Sequence, residues 1–357
     1  MRPPYLPKLL AALILFTPAA AHADAPKVVT SIKPVHSLVA GVMQGVGEPE
    51  LLIEGYESPH TYSLRPSEAQ ALQAADVVFI IDESLEIFLE KPLETLAGDA
   101  RVVALLEAPG VERLAFREGG AFETHSHDDD DHDGHGHEEE HAHKEEHAHN
   151  DDHNHDYDKH GHKDGHAHED EHDHDDHAGH DEHGEFDPHA WLDPRNADAM
   201  VRAIADVLAE LDPGQAARYR ANAADILARL EALDAQLEAE LQPVKGRPFV
   251  AFHDAYQYME RRYGLNAVGS ITVSPEVTPG AQRVSEIRAK LQDVGAACVF
   301  SEPQFASNLV GVVTEGTRVN GGVLDPLGSA VPAGPDQYFT LMGDMADAFR
   351  TCLSPRS

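Results

Sequence analysis

The chain has 357 residues, enough for two domains, and a formal net charge of −36 from 27 Lys and Arg against 63 Asp and Glu. Such acidity argues against nucleic acid and anionic lipid as partners and tolerates cations well. Much of it is local: residues 123–185 hold 25 Asp and Glu against three Lys, which leaves −14 for the remainder.

At the N-terminus, Arg2 and Lys8 precede an apolar stretch over 9–16, and Ala21-His22-Ala23 offers a small-x-small cleavage site. Residues 1–23 are therefore expected to be a secretory signal peptide, cleaved near Ala23. The stretch is too short to span a bilayer and no comparable run follows. With no cysteine near the cleavage site, the mature protein is expected to be exported and soluble, without a lipid anchor.

Short apolar runs at 27–32, 50–53, 76–81 and 101–105 read as buried parallel strands, with helical segments between them such as 67–75 and 83–97. This is the pattern of a βα-repeating N-terminal half. Next comes a low-complexity segment, 123–185, that holds most of the histidines: 20 of the chain's 25 lie between His125 and His183. It is too polar to bury a core and is expected to be disordered. Its His-x-His pairs, His125 and His127, His141 and His143, His147 and His149, His166 and His168, suit weak auxiliary metal binding, as a loop that collects or buffers ions. A solvated spacer with incidental metal affinity is the plainer alternative.

Beyond it, residues 194–244 read as helical. From Gln215 to Leu241, Ile226, Leu230, Leu233, Leu237 and Leu241 recur at spacings of three and four without Pro or Gly, which predicts one long amphipathic helix. Periodicity leaves open whether it is a rod between domains or an ordinary packing helix. The strand and helix alternation then resumes, with strands at 247–252, 267–272, 297–301 and 322–324 and helices near 254–263, 281–293 and 338–352. The two cysteines, Cys298 and Cys352, are most simply a disulfide in an exported chain, stapling the last helix to a sheet; a cysteine metal site is the weaker alternative.

In open parallel sheets ligands bind beyond the carboxyl ends of the strands. His60 follows the second strand, His253 the fifth, Glu302 the seventh and Asp325 the eighth, while His189 precedes a helix after the acidic segment. Three imidazoles and a carboxylate from both halves are thus expected to converge. His36, within an apolar helical segment, reads as a helix-start or core residue.

The segments Ser58-Pro59-His60-Thr61-Tyr62-Ser63-Leu64-Arg65-Pro66-Ser67, Pro188-His189-Ala190-Trp191-Leu192, Phe252-His253-Asp254-Ala255-Tyr256, Ser301-Glu302-Pro303-Gln304-Phe305 and Leu324-Asp325-Pro326-Leu327-Gly328 together resemble the periplasmic zinc-binding protein of high-affinity zinc-uptake ABC transporters. The resemblance spans nearly the whole mature chain. It implies an α/β fold of two lobes, each with a mainly parallel four-stranded sheet, joined by one long rigid helix, with metal in the interlobe cleft. The N-terminal lobe would then be 24–193, including the loop 123–185, and the C-terminal lobe 245–357.

The resemblance also implies His60, His189 and His253 as zinc ligands and a counterpart for the Cys298–Cys352 pair. Its partners would be a membrane permease with a cytoplasmic ATPase and a periplasmic zinc chaperone, with the protein itself a monomer. Where some relatives have a glutamate before the first histidine, this chain has Pro59, so Asp325, Glu57 or water must complete the site. Three imidazoles favour zinc over the harder manganese, whose binding proteins in this class use two histidines and two carboxylates. A manganese-binding relative is the nearest alternative. A zinc hydrolase is a distant one, since no HExxH-type arrangement puts a general base beside the ligands.

Overall fold

The computed structural model describes residues 25–117, 185–272, 280–293, 295–305, 308–317 and 319–355. The expected signal peptide, 1–23, and the paired histidines from His125 to His168 lie outside the described residues.

The first half runs β1 (Val28–Thr30), α1 (Lys33–Val42), β2 (Glu50–Leu51), α2 (Pro66–Ala74), β3 (Val77–Ile80), α3 (Glu90–Leu96) and β4 (Arg101–Ala104). Its strands pair in the order β2-β1-β3-β4, all parallel. The Val and Ile runs of β1 and β3 are buried at every position, as a parallel sheet covered on both faces requires. The second half repeats the arrangement with β5 (Pro248–Ala251), α6 (Gln257–Tyr263), β6 (Asn266–Ser270), α7 (Ala281–Asp293), β7 (Cys298–Ser301), α8 (Asn308–Thr314), β8 (Asn320–Val323) and α9 (Gln337–Leu353). Its strands pair as β6-β5-β7-β8, again all parallel. Each sheet therefore reverses its strand order between its first and third strands, β1/β3 and β5/β7, and it is beyond such a switch point that ligands bind.

Between the sheets run α4 (Pro194–Leu211), capped by Asp193 through the Arg195 amide, and α5 (Ala216–Leu241). With 26 residues α5 is about 39 Å long. Its buried stripe, Tyr219, Ala223, Ile226, Leu230, Leu233, Leu237 and Leu241, is the one its spacing predicts. The fold is thus two α/β lobes joined by a long helix. One hydrophobic core continues through both: Val29 and Phe79 of the first sheet and Phe249 and Phe300 of the second belong to the same cluster as Val39, Met200, Leu230 and Met345 of the helices. Gly41 lets α1 press against α5, because a Cβ there would meet Ile226 Cδ1 at 2.7 Å.

A smaller cluster, including Val250, Ile287, Val299 and Val313, packs the other face of the second sheet. The disulfide Cys298–Cys352, with a Cα separation of 5.8 Å, ties β7 to α9. Among the described residues no helix is long and apolar enough to cross a membrane.

The strands expected to be buried at 50–53 and 101–105 form the sheet edges β2 and β4, which leave Glu50, Arg101 and Val102 exposed because an edge strand is covered on fewer sides. Two helices differ as well. The helix expected over 83–97 begins only after a 3-10 turn at Ile87–Leu89, because Glu86 turns inward to accept hydrogen bonds from the Ile81 and Asp82 amides. The short α8 was not anticipated; with seven residues and an internal glycine it carries no helical periodicity to read.

Candidate metal centre

His253 lies two residues beyond β5, and Glu302 immediately follows β7, so the two face each other across the second sheet's switch point. Both Glu302 oxygens lie 2.8 Å from His253 Nδ1. The Tyr256 hydroxyl also donates to Glu302, at 2.9 Å. His189 sits in a tight turn, where Asp187 Oδ1 accepts both its amide, at 3.0 Å, and its Nδ1, at 2.8 Å. Asp187 is held in turn by Gln257, and its carbonyl accepts from Tyr258. His60 comes from the long loop after β2, where Ser58 Oγ accepts its amide at 3.3 Å.

These elements bring three imidazoles together. Their ring centroids lie 5.1 to 5.7 Å apart, and one ligand nitrogen from each lies within 4.8 Å of the other two. His189 Nε2 and His253 Nε2 are 3.3 Å apart. Two nitrogens bound to one tetrahedral zinc at about 2.0–2.1 Å would be separated by about 3.4 Å. With Nδ1 of each ring bonded to a carboxylate, the proton belongs on Nδ1, and both Nε2 lone pairs face the same point. Two lone pairs at that distance need a cation or a proton between them.

Electrostatics agrees with this. Burial disfavours the charged His253 ring, yet Glu302, with Asp254 and Asp187 beyond it, more than offsets that, and its pKa lies above the ordinary value. Burial pushes Asp187 up to about 6. His189 and His253 are both 4% exposed, whereas His60 is half-buried. The space between them, about 10 Å³, is lined by the three histidines with Pro59, Trp191, Phe305, Pro326 and Leu327 among others, and has room for about one water or ion.

Neither Asp325 nor Glu57 joins this group. Glu57 pairs with Arg65 at the surface, at 2.6 Å. Asp325 accepts from Gln304 Nε2 and from the Leu327 and Ser329 amides, which draws its oxygens into the turn that follows β8. His36 lies in α1, its imidazole pushed down by burial and apart from the cluster. The sequence reading marked Glu302 only as a strand-end carboxylate and passed over Asp187. The signal for Asp187 was local, an acid two residues before a candidate ligand. Gln304, which also lines the cavity, stood in one of the motif segments but was given no role.

Comparison with known proteins places this geometry in context. The family described as zinc-uptake complex component A, periplasmic (ZnuA), matches residues 28–352. The high-affinity zinc uptake system protein ZnuA of Brucella suis biovar 1 (strain 1330) is 49% identical over 327 residues, covering 92% of this chain and 91% of that protein. Its namesake from Yersinia pestis is 35% identical, covering 97% and 96%. Among solved structures, the periplasmic zinc-binding protein TroA from Treponema pallidum superposes with a TM-score of 0.69 at 21% identity, covering 93% of this chain and 100% of that one. A Mn²⁺ complex of the solute-binding protein FpvC from Pseudomonas aeruginosa gives 0.68 at 18%, covering 93% and 99%. At those identities the likeness concerns the fold alone.

Proposed function

The chain belongs to the periplasmic zinc-uptake component A family, and on that premise we propose that it captures Zn²⁺ in the cleft between its lobes, on His60, His189 and His253, and hands it to an ABC-transporter permease driven by a cytoplasmic ATPase. The observation that carries the ligand assignment is the pair of carboxylate-anchored imidazoles whose Nε2 atoms converge at 3.3 Å beside His60. Carboxylates that bond the far nitrogen of a ligating histidine fix its tautomer and raise its basicity, which strengthens binding. The all-nitrogen set suits zinc better than manganese.

The protein is a binding component and not an enzyme on this reading, since Asp187 and Glu302, the acids nearest the site, are spent on orienting the ligands. It acts in the periplasm, with residues 24–193 and 245–357 as its lobes. The paired histidines from His125 to His168 gather or buffer zinc at lower affinity.

Calorimetry on metal-stripped protein tests the division. His60→Ala and His253→Ala are each expected to weaken the tight site by orders of magnitude, whereas deleting residues 123–185 leaves one tight ion and removes the weaker extras. In cells, zinc uptake should fail on deletion of the gene and return with the wild type but not with either histidine variant. Loss of the tight ion together with the loop, or equal affinity for Mn²⁺ and Zn²⁺, would overturn the proposal.

A further inference from the structure

Three histidines leave a tetrahedral ion one position short, and the chain's own candidates for it, Asp325 and Glu57, are engaged elsewhere. Of the polar residues that line the cavity beside the three histidines, Ser58 accepts the His60 amide and Glu302 faces His253 and Tyr256, which leaves Gln304. Its Nε2 donates to Asp325 Oδ1 at 2.7 Å and to Ser329 Oγ at 2.8 Å. Asp325 in turn accepts the Leu327 amide at 3.3 Å and the Ser329 amide at 2.6 Å. A carboxylate is an acceptor only, so it dictates which end of the carboxamide faces it. The other end, Oε1, is buried and has no hydrogen-bond partner among the described residues. A buried carbonyl oxygen left in that condition is costly and calls for a donor.

Resting on the three-histidine zinc site proposed above, we propose that the fourth ligand is a water molecule that donates a hydrogen bond to Gln304 Oε1, and that Asp325 serves the site by aiming that carboxamide. A carboxamide holds the water but cannot take its proton, so Gln304 is no general base and the water is a replaceable ligand. Gln304 and Asp325 are positioning residues, the one for the water and the other for Gln304.

The test uses the full chain loaded with Zn²⁺ for X-ray absorption and with Co²⁺ for visible spectroscopy, with thiocyanate as an exogenous ligand. Wild type is expected to show three imidazole nitrogens and one water oxygen, and thiocyanate should shift its Co²⁺ bands. Gln304→Leu should keep one ion, bind it roughly tenfold more weakly, and let thiocyanate in at lower concentration. Gln304→Glu puts a carboxylate in the water's place and should abolish the thiocyanate response. Asp325→Asn frees the amide to turn over and should resemble Gln304→Leu; circular dichroism melting checks that every variant is folded.

A wild-type shell with a carboxylate oxygen and no thiocyanate response would overturn the proposal. So would Asp325→Asn weakening zinc as severely as His60→Ala, which would make Asp325 a ligand. Failure of the three-histidine reading looks different: a tight ion that persists in His60→Ala.

Discussion

Glu86 shows how one carboxylate can shape a lobe without touching the ligand. It is fully buried beyond the switch point of the first sheet, where it accepts from Ser31 Oγ at 2.5 Å and from the Ile81 and Asp82 amides at 3.1 and 3.0 Å. Like Glu302 in the second sheet, it bonds a residue beyond the neighbouring strand, here Ser31 after β1. Burial outweighs these hydrogen bonds and pushes Glu86 up to about 7, with Asp82 adding to the rise. A carboxyl whose folded pKa exceeds its unfolded value binds more protons when folded, so its contribution is fully present below pH 4.5 and is lost as pH rises toward 7. Glu86→Gln removes this titration. Urea unfolding of metal-free protein should therefore show wild type losing stability relative to Glu86→Gln between pH 5 and pH 7.5, on a scale of about 1.4 kcal/mol per pKa unit. A difference that stays constant with pH would sink the argument. At this scale the sequence marked the three imidazoles that the structure brings together, since His60, His189 and His253 stand in motifs, but not their supports. Glu86, Asp187 and Gln304 act through partners distant in the chain or through an amide in a turn, and neither composition nor spacing reveals such contacts.

Secondary-structure elements were legible where one face decides them. The α5 stripe and the Val and Ile runs of β1 and β3 are such cases, and α7 (Ala281–Asp293) coincides with its expected span. The turn at 82–86 was not legible, because a long-range hydrogen bond to Ser31 overrides local helix propensity. The element that ties the supports of His189 and His253 together is α6. Arg117 pairs with Asp254, the residue after His253, and with Glu260 of α6. From α6 itself, Gln257 reaches the Ala115 carbonyl and Asp187. One short helix thus supports both carboxylate-anchored imidazoles. Arg117 is 22% exposed and its two acidic partners 11% and 9%, so removing the guanidinium strands two largely desolvated carboxylates. Breaking one side of a buried pair costs about 3–5 kcal/mol. Arg117→Met is expected near the lower end of that range in urea unfolding, with zinc still bound at one site but more weakly. Stability within about 0.5 kcal/mol of wild type would mean the network is ornamental.

For the whole molecule the question is how a bound ion gets out. A wide hinge would have to part a hydrophobic core shared by both sheets and break the polar ties across it. Lys33 of α1 donates to the Ser329 and Val331 carbonyls at 2.6 and 3.1 Å. Trp191 Nε1 donates to the Pro326 carbonyl at 2.9 Å, and the Tyr338 hydroxyl to the Trp191 carbonyl at 2.7 Å. By contrast, His60 is the least buried of the three imidazoles, and its loop exposes Tyr56 at 54%. Breaking a few loop contacts is cheaper than shearing a packed core, so release is expected to start at His60 while the lobes keep their relation. Hydrogen exchange on zinc-loaded and metal-free protein should then differ in residues 54–65 and leave α1, α5 and α9 unchanged. A pair of spin labels, one on each lobe, should report the same separation in both states to within about 2 Å. A larger change in that distance, or loss of protection along α5 on removing zinc, would replace the loop with a hinge.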